Sequence, residues 1–216
     1  MKLFAMSDVH GDLRHFDAAA TLMESADAVV LSGDLMRACS VRSAERVLAR
    51  VEAHAKRIIA VPGNWDRDEV RLLLDERGYG VHGRGRIIDN IGFFGLGGSG
   101  HGPVRTGDGS VRRNIRDVLE EGYAQVEGAA HTILVTHAPP RGFVDRSFIG
   151  LRGGSRAVRD FIGFRRVDIC LSGHIHEAFG VDRFNGCVVA NSGSFKEGRY
   201  SLVEVRDAIT VTQDAV

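Results

Sequence analysis

The sequence lacks a net charge, a long apolar run and a secretory signal, and each absence is typical of an ordinary globular protein. It has no excess of charge, because 28 basic residues balance 28 acidic residues, and a balanced chain gives no electrostatic reason to expect a nucleic-acid or membrane partner. No run approaches the ~18 apolar residues of a membrane span. The apolar start, Met1 to Met6, is too short for a secretory signal, since Asp8 interrupts it. We therefore expect a cytoplasmic protein without a membrane partner.

Cysteine is also scarce. Cys39, Cys170 and Cys187 form no CxxC pair, and an odd number cannot be joined completely into disulfides. Their neighbours along the chain are mostly apolar. We expect buried thiols in a reducing compartment.

Proline is rare, with 4 residues, whereas glycine is abundant, with 27. Many of the glycines lie at the ends of predicted strands, where the backbone must turn sharply. A chain of 216 residues with 44% hydrophobic and 26% charged residues is ordinary for a globular protein with one sizeable core. Since no low-complexity linker or repeat divides the sequence, we expect a single domain over 1–216 without a cap domain.

The first third of the chain alternates strands with amphipathic helices. Apolar runs predict strands over 2–6, 28–31 and 57–61, and helical spacing of apolar residues predicts helices over 13–25 and 43–55. Such alternation predicts parallel strands joined by helical crossovers.

The remainder of the chain combines helices with hairpins. Further strands are predicted over 86–89, 91–96, 132–135, 167–171, 178–184, 187–190, 200–205 and 209–212, and further helices over 68–76, 110–126 and 155–164. Asn90 marks a tight turn, Asn185-Gly186 is typical of a type I′ hairpin, and Ser155 is predicted to cap the helix that it precedes. The fold class predicted is α/β with two sheets, one partly parallel and one rich in hairpins.

The segment Gly173-His174-Ile175-His176 follows a predicted buried strand. In an extended chain residues i and i+2 project to the same side, so the two imidazoles are expected to point to one place. Imidazole is the commonest side-chain metal ligand. A histidine pair alone remains weak evidence, because loop histidines are more often solvated than metal-bound.

Four other strand ends carry further residues of the metal-ligand type. They are Asp8 with His10, Asp34, Asn64 and His137. Carboxylate, amide and imidazole groups suit Mn, Fe, Zn or Ni, and the absence of cysteine argues against a structural zinc site. Polar residues gather at strand ends in any α/β protein, but seven ligand-type residues are enough for two open coordination spheres. Two such metals can clamp a phosphoryl group during in-line displacement.

In their order along the chain these motifs resemble those of the calcineurin-like metallophosphoesterases. The matching segments are Asp8-Val9-His10, Gly33-Asp34, Gly63-Asn64, Thr136-His137 and Gly173-His174-Ile175-His176, within residues 3–205. With the glycine-rich 95–99 and His-Ala-Pro-Pro at 137–140, the chain is most similar to the Icc-related branch of small phosphoesterases. The resemblance implies a four-layer α/β/β/α sandwich of two mixed sheets, with the metals at the strand ends.

The resemblance also implies a role for each matching residue. Asp8, His10 and His176 would bind a first divalent ion. Asn64, His137 and His174 would bind a second ion, and Asp34 would bridge both. The cofactors implied are two divalent metal ions, with manganese favoured and iron, zinc and nickel left open. A bridging hydroxide would attack phosphorus in line, so Asp34 and His137 are also the catalytic residues implied.

The main departure from the family pattern is Trp65. Many members have Gly-Asn-His-Asp at this place, and that histidine helps to protonate the leaving oxygen or holds the substrate phosphate. Indole cannot do acid–base chemistry at neutral pH. We take His101 in the glycine-rich loop over 95–102 as the candidate replacement and third catalytic residue, although a solvated loop histidine is the simpler interpretation. Loss of an acid should favour better leaving groups, so phosphodiesters are expected over phosphomonoesters.

Four further residues have competing interpretations. Asp66 either orients a neighbouring ligand through a hydrogen bond or caps the helix over 68–76. Asp12 is expected to be structural, next to the first turn of a helix. Arg141 and Arg152, in the loop after His137, could reach an anionic substrate, but exposed arginines are the simpler interpretation.

Together these observations predict a metal-dependent phosphoesterase that acts on a small phosphoester, with nucleotides and nucleic-acid ends among the candidates. The alternative is a non-catalytic metal-binding or scaffold module, because one retromer subunit is similar in fold but has a degraded site. The completeness of the seven ligand positions favours the enzyme. The sequence makes no prediction of the oligomeric state.

Overall fold

The computed structural model describes residues 1–38, 40–101, 104–105 and 112–216. In chain order its strands are β1 (Lys2–Met6), β2 (Ala28–Leu31), β3 (Ile58–Ala60), β4 (Gly85–Ile88), β5 (Ile91–Leu96), β6 (Val104–Arg105), β7 (Arg112–Arg113), β8 (His131–Thr136), β9 (Ile169–Ser172), β10 (Gly180–Phe184), β11 (Cys187–Asn191), β12 (Arg199–Val205) and β13 (Ile209–Ala215). The helices are α1 (Phe16–Ser25), α2 (Val41–Glu52), α3 (Asp68–Glu76), α4 (Ile115–Ala124) and α5 (Arg156–Phe164).

The first sheet has the strand order β13-β12-β1-β2-β3. β1, β2 and β3 are parallel, and β12 and β13 add an antiparallel hairpin to their edge. Because side chains alternate along a strand, Phe4 and Met6 pack under α1 and α2 whereas Leu3 and Ala5 face the second sheet. The predicted parallel β-α-β-α-β start is confirmed.

The second sheet has the strand order β10-β11-β9-β8-β5-β4. Its four inner strands are parallel, and β4 and β10 are antiparallel edges. Phe93 and Ile133 pack against the first sheet, whereas Phe94 and Leu134 pack under α4 and α5. The layers are therefore helices, sheet, sheet and helices, so the predicted four-layer α/β/β/α sandwich of two mixed sheets is confirmed.

Local sequence signals account for several boundaries. In α2 the buried residues Ala44, Val47, Leu48 and Val51 follow helical spacing. The Ser155 side chain caps α5 by accepting a hydrogen bond from the Val158 backbone N–H. In the hairpin between β10 and β11, Asn185 has φ 51° and Gly186 has φ 81°, as a type I′ turn requires.

Some predicted elements differ from the structure. The helix predicted over 110–126 begins only at Ile115, because residues 112–113 belong to β7, which pairs with β6. The start of that prediction (110–111), Gly102 of the glycine-rich loop and Cys39 lie outside the described residues. Cys170 and Cys187 are buried free thiols, as expected. Across the part of the chain that the structure describes, no helix combines the length and apolar character needed to cross a bilayer.

Candidate metal centre

The seven residues predicted as ligands lie together where strands of both sheets end. Asp8 and His10 follow β1, Asp34 follows β2 and Asn64 lies beyond β3, all in the first sheet. His137 follows β8, and His174 with His176 follows β9, in the second sheet. The loops are hydrogen-bonded to each other through Asp8 N to Gly33 O at 3.0 Å and Gly173 N to His137 O at 3.0 Å.

One group of side chains consists of Asp8, His10 and His176, whose nearest ligand atoms all lie within 4.8 Å of one another. His176 Nε2 is 3.1 Å from Asp8 Oδ1, and His10 Nε2 is 3.9 Å from the same oxygen. These are the three residues that the family resemblance gives to the first ion.

A second group consists of Asp8, Asp34 and His137, again with ligand atoms within 4.8 Å. His137 Nε2 lies 3.4 Å from Asp34 Oδ2 and 2.9 Å from Asn64 Oδ1. The His174 ring is next to it, with 4.9 Å between the centroids of the His137 and His174 rings. The residues that the resemblance gives to the second ion are thus gathered around His137.

The two groups share a carboxylate. Asp8 belongs to both by distance, whereas the resemblance gives the bridging role to Asp34. Asp34 Oδ2 also contacts both sides, because it lies 3.8 Å from His10 Nε2 as well as 3.4 Å from His137 Nε2. Both acids therefore lie between the two histidine clusters.

Backbone groups orient these ligand atoms. The Trp65 N–H donates to Asp34 Oδ1 at 2.8 Å, and the His174 N–H donates to Asp8 Oδ2 at 2.9 Å. Each carboxylate therefore has one oxygen held by the backbone and the other directed at the histidines. His137 Nδ1 donates to the Ser32 carbonyl at 2.7 Å, which turns its Nε2 towards Asp34, as for metal-binding histidines.

The electrostatics of the group follow from burial and close pairing. Burial opposes ionisation of Asp8, but the His176 imidazole and the charge of His137 outweigh it and lower the pKa of Asp8 to about 2. Burial likewise opposes protonation of His137, yet its contact with Asp34 raises the pKa of His137 to about 9. Burial and the charge of His137 lower the pKa of His174 to about 4. The acids and histidines that share charge in this way are the groups that a bound cation would also contact, and such binding would release protons.

The donor set fits divalent ions. Asp8 Oδ1 is buried, and its nearest partner among the described residues, His176 Nε2 at 3.1 Å, lacks hydrogen-bond geometry, a state that costs free energy unless something binds the oxygen. His137 Nε2, Asn64 Oδ1 and Asp34 Oδ2 also converge, with 2.9 Å from Nε2 to the Asn64 oxygen and 3.4 Å to the Asp34 oxygen. Carboxylate, amide and imidazole donors without thiolate match Mn, Fe, Zn or Ni.

The backbone at the site is in a conformation that L-residues rarely adopt. Asp8, His10, Asp34 and His174 have φ values of 54°, 48°, 55° and 69°, and left-handed non-glycine residues cluster at functional sites. The extended conformation predicted for the His174 segment is therefore wrong. His174 turns back towards His137, whereas His176 begins a 3-10 turn (His176–Ala178) and contacts Asp8, so the two imidazoles serve different groups.

Asp66 and Asp12 have structural partners. The Asp66 carboxylate accepts hydrogen bonds from Leu35 N, Met36 N and Gly63 N at 2.8–3.0 Å. It therefore ties the loop that carries Asp34 to the loop that carries Asn64. Its proposed capping role is wrong, because α3 has Arg67 at its N-cap and no side-chain cap. Asp12 binds the Arg14 guanidinium, with Oδ2 2.7 Å from Nη2, ahead of α1.

His101 and the two arginines of the loop after His137 have partners outside the predicted ligand set. His101 is exposed, its Nδ1 donates to the Ser99 carbonyl at 2.7 Å, and it lines a cavity of about 270 Å³ together with Asn64. Arg152 is ion-paired to buried Asp145 at 2.7 Å. Arg141 donates to the Arg152 carbonyl, so these two side chains brace the loop.

Several residues that were not predicted from the sequence line the cavity in front of the ligands. This cavity has a volume of about 590 Å³ and is lined by Arg37, Lys196 and Ser194 besides His10, Asp34, His174 and His176. Ser194 Oγ donates to the Asp8 carbonyl at 2.9 Å. The signal was present, since Ser192-Gly193-Ser194 follows buried strand β11, which is parallel to β9.

Comparison with known proteins agrees with this architecture. A family model described as the calcineurin-like phosphoesterase superfamily domain matches residues 1–209. An uncharacterized protein of Methanocaldococcus jannaschii is 27% identical over 198 residues, covering 88% of this chain and 87% of that protein. A Synechococcus protein named "Probable cyclic nucleotide phosphodiesterase" is 32% identical over 177 residues, covering 76% of this chain and 64% of that protein.

Solved structures show the same fold. A protein of Thermus thermophilus matches with a TM-score of 0.73 and 21% identity, covering 99% of this chain and 98% of that chain. A structure described as a novel archaeal phosphodiesterase matches with a TM-score of 0.59 and 17% identity over 100% of both chains. The family match covers nearly the whole chain and includes all five motifs. This protein belongs to the calcineurin-like phosphoesterase superfamily.

Proposed function

We propose that this protein is a dinuclear metal-dependent hydrolase of small phosphodiesters, acting as a single domain with an open site. The observation that carries the proposal is the convergence of two ligand groups that share Asp8, with Asp34 Oδ2 between their histidines. A structural site would need only one closed group of ligands.

In this proposal the seven side chains divide between two divalent ions, with manganese favoured. Asp8, His10 and His176 would hold the first ion. Asn64, His137 and His174 would hold the second, and Asp34 would contribute to both. When bound, such ions activate water and neutralise the charge that develops on a phosphoryl group.

The residues of the chain supply the remaining parts of the reaction. Backbone N–H groups fix one oxygen of each of the two carboxylates, so these two ligands are oriented before an ion binds. Arg37 and Lys196 line the cavity in front of them and attract an anionic substrate. His101 Nδ1 is held by the Ser99 carbonyl, so its Nε2 is the atom assigned to pass a proton to the leaving oxygen.

The preference for diesters is motivated by Trp65, which stands where an acid is found in many relatives. The indole is 64% exposed at the rim of the cavity and cannot give a proton to a poor leaving group. The name of the Synechococcus relative, "Probable cyclic nucleotide phosphodiesterase", favours the same class of substrate.

Hydrolysis of two matched substrates by the purified protein with manganese tests the proposal. We expect faster turnover of an aryl phosphodiester than of the corresponding aryl phosphomonoester, and loss of both activities in Asp34→Ala. Asp182→Ala, which removes an exposed carboxylate on β10, should behave as the wild type. Faster turnover of the monoester would overturn the diester preference, and activity in Asp34→Ala would show that the site is misassigned. A purified protein that binds no manganese would favour the scaffold alternative.

A further inference from the structure

Trp65 is placed unusually for the only tryptophan of the chain. Its side chain is 64% exposed, although tryptophan has a large apolar surface that is normally buried. Its ring meets the His10 ring edge-on, with 6.3 Å between centroids and an interplanar angle of 88°. Much of the indole is therefore open to the cavity that contains the candidate metal ligands.

The fold does not require this indole. Trp65 belongs to none of the three core clusters of the described residues. Its contribution to the site comes from the backbone, because the Trp65 N–H donates to Asp34 Oδ1, and any residue except proline could supply that bond. The side chain is thus available for a ligand.

The same cavity contains cationic groups that lack acidic partners. Arg37 and Lys196 both line it, and neither side chain forms an ion pair within the described part of the chain. Arg14 and Glu197 line it as well, but they are paired with Asp12 at 2.7 Å and with Arg199 at 3.2 Å. An open aromatic ring, two unpaired cations and a site for phosphoryl transfer therefore share one space of about 590 Å³.

This combination matches the chemistry of a nucleotide. Nucleobases stack on exposed aromatic side chains, and one stacked base changes affinity by about 5- to 150-fold. Arginine and lysine bind the phosphate oxygens beside it. We infer that Trp65 is a stacking platform for the nucleobase of a nucleotide phosphodiester, with Arg37 and Lys196 contacting its phosphate. The inference rests on the proposed function and names the substrate class for the same site.

A pair of substrates with one leaving group isolates the nucleobase. Thymidine 5′-p-nitrophenyl phosphate and methyl p-nitrophenyl phosphate release the same p-nitrophenol, and only the first carries a base. For Trp65→Ala we expect KM for the thymidine ester to rise about tenfold, with kcat little changed and kcat/KM for the methyl ester unchanged. Trp65→Phe should recover most of the loss, because phenylalanine also stacks.

The control is Phe164→Ala, which removes another exposed aromatic side chain, 80% exposed at the end of α5. Phe164→Ala should leave kcat/KM unchanged for both esters. Equal losses on both esters in Trp65→Ala would assign the indole to the nitrophenyl leaving group and overturn the nucleobase assignment. No loss on either ester would overturn it as well.

Fluorescence supplies a readout that needs no turnover. Since Trp65 is the sole tryptophan, its emission reports on this position alone. We expect thymidine 5′-monophosphate to quench it with saturation, and inorganic phosphate to leave it unchanged. Arg37→Ala and Lys196→Ala should weaken the quenching titration without removing it.

Different results would contradict the proposed phosphoesterase function and the nucleobase-stacking role of Trp65. If the wild type with manganese hydrolyses neither ester, the proposed function fails, and the fluorescence titration still decides whether the indole binds a base. If the esters are hydrolysed but the nucleotide does not quench Trp65, the inference fails and the phosphoesterase proposal stands.

Discussion

At the scale of single residues, Asp66 shows how one carboxylate holds two loops of the site together. Its oxygens accept hydrogen bonds from the backbone N–H groups of Leu35, Met36 and Gly63. Burial raises the pKa of Asp66, and these bonds oppose that rise. The sequence left two interpretations open because the partner Leu35 is 31 residues away along the chain, and local spacing carries no information on such a contact.

We predict that Asp66→Ala lowers the free energy of unfolding by about 3 kcal/mol, because it leaves buried N–H groups without acceptors at about 1–3 kcal/mol each. Asp66→Asn keeps one acceptor oxygen and should lose less. Urea denaturation of the metal-free protein measures both. Glu69→Ala, an exposed position in the first turn of α3, is the control. An Asp66→Ala protein as stable as the wild type would contradict the bracing role.

At the scale of elements, the loops approach each other so closely that glycine is required where they meet. A Cβ on Gly173 would overlap Ser7 Oγ and Asp8 Oδ2, and a Cβ on Gly63 would overlap Asp34 Oδ1. The Gly-His and Gly-Asn motifs therefore have a steric cause. Each glycine lets one strand end approach the carboxylate carried by another.

We predict that Gly173→Ala displaces Asp8 and lowers manganese affinity by at least tenfold, the size typical of mutating groups that support metal ligands. Isothermal titration with manganese measures this change. Gly163→Ala is the matched control, because a Cβ there has no neighbour closer than 4.0 Å and alanine favours the helix. If both variants bound manganese like the wild type, the close contact at Gly173 would not position Asp8.

At the scale of the whole molecule, the candidate site exists only because the two sheets pack face to face. Asp8, His10 and Asp34 come from the first sheet, whereas His137 and His176 come from the second. The core between the sheets, including Phe93 and Ile133, holds these two sets in register. Ions bound between them should therefore stabilise the native state against separation of the sheets.

We predict that manganese raises the unfolding temperature and that a chelator reverses the rise. A ligand at 100 times its dissociation constant adds about 2.7 kcal/mol when it binds only the native state. In His137→Ala the manganese-dependent rise should shrink strongly. His131→Ala, at the opposite end of β8, should retain it. Thermal unfolding with and without metal checks this, and an equal rise in the two variants would place the ions elsewhere.

The sequence by itself determined the order of the elements, the two-sheet architecture and the residues of the five motifs. Apolar periodicity, the Asn185-Gly186 turn and the Ser155 cap are local signals, because each is contained within a short stretch of sequence. The predicted start of helix 110–126 was wrong because β7 pairs with β6 there. Strand pairing of this kind has no local sequence signal as clear as a helical repeat.

The tertiary structure decided how the predicted ligands are arranged. His174 N binds Asp8 Oδ2 across 166 residues of sequence, and His137 Nε2 meets Asn64 across 73. It placed His174 beside His137 and His176 beside Asp8, as the family resemblance implies, and it alone decided that the Trp65 indole stands open beside Arg37 and Lys196. Side-chain direction at a strand end depends on left-handed φ values and on neighbouring loops, and these are set only when the sheets pack.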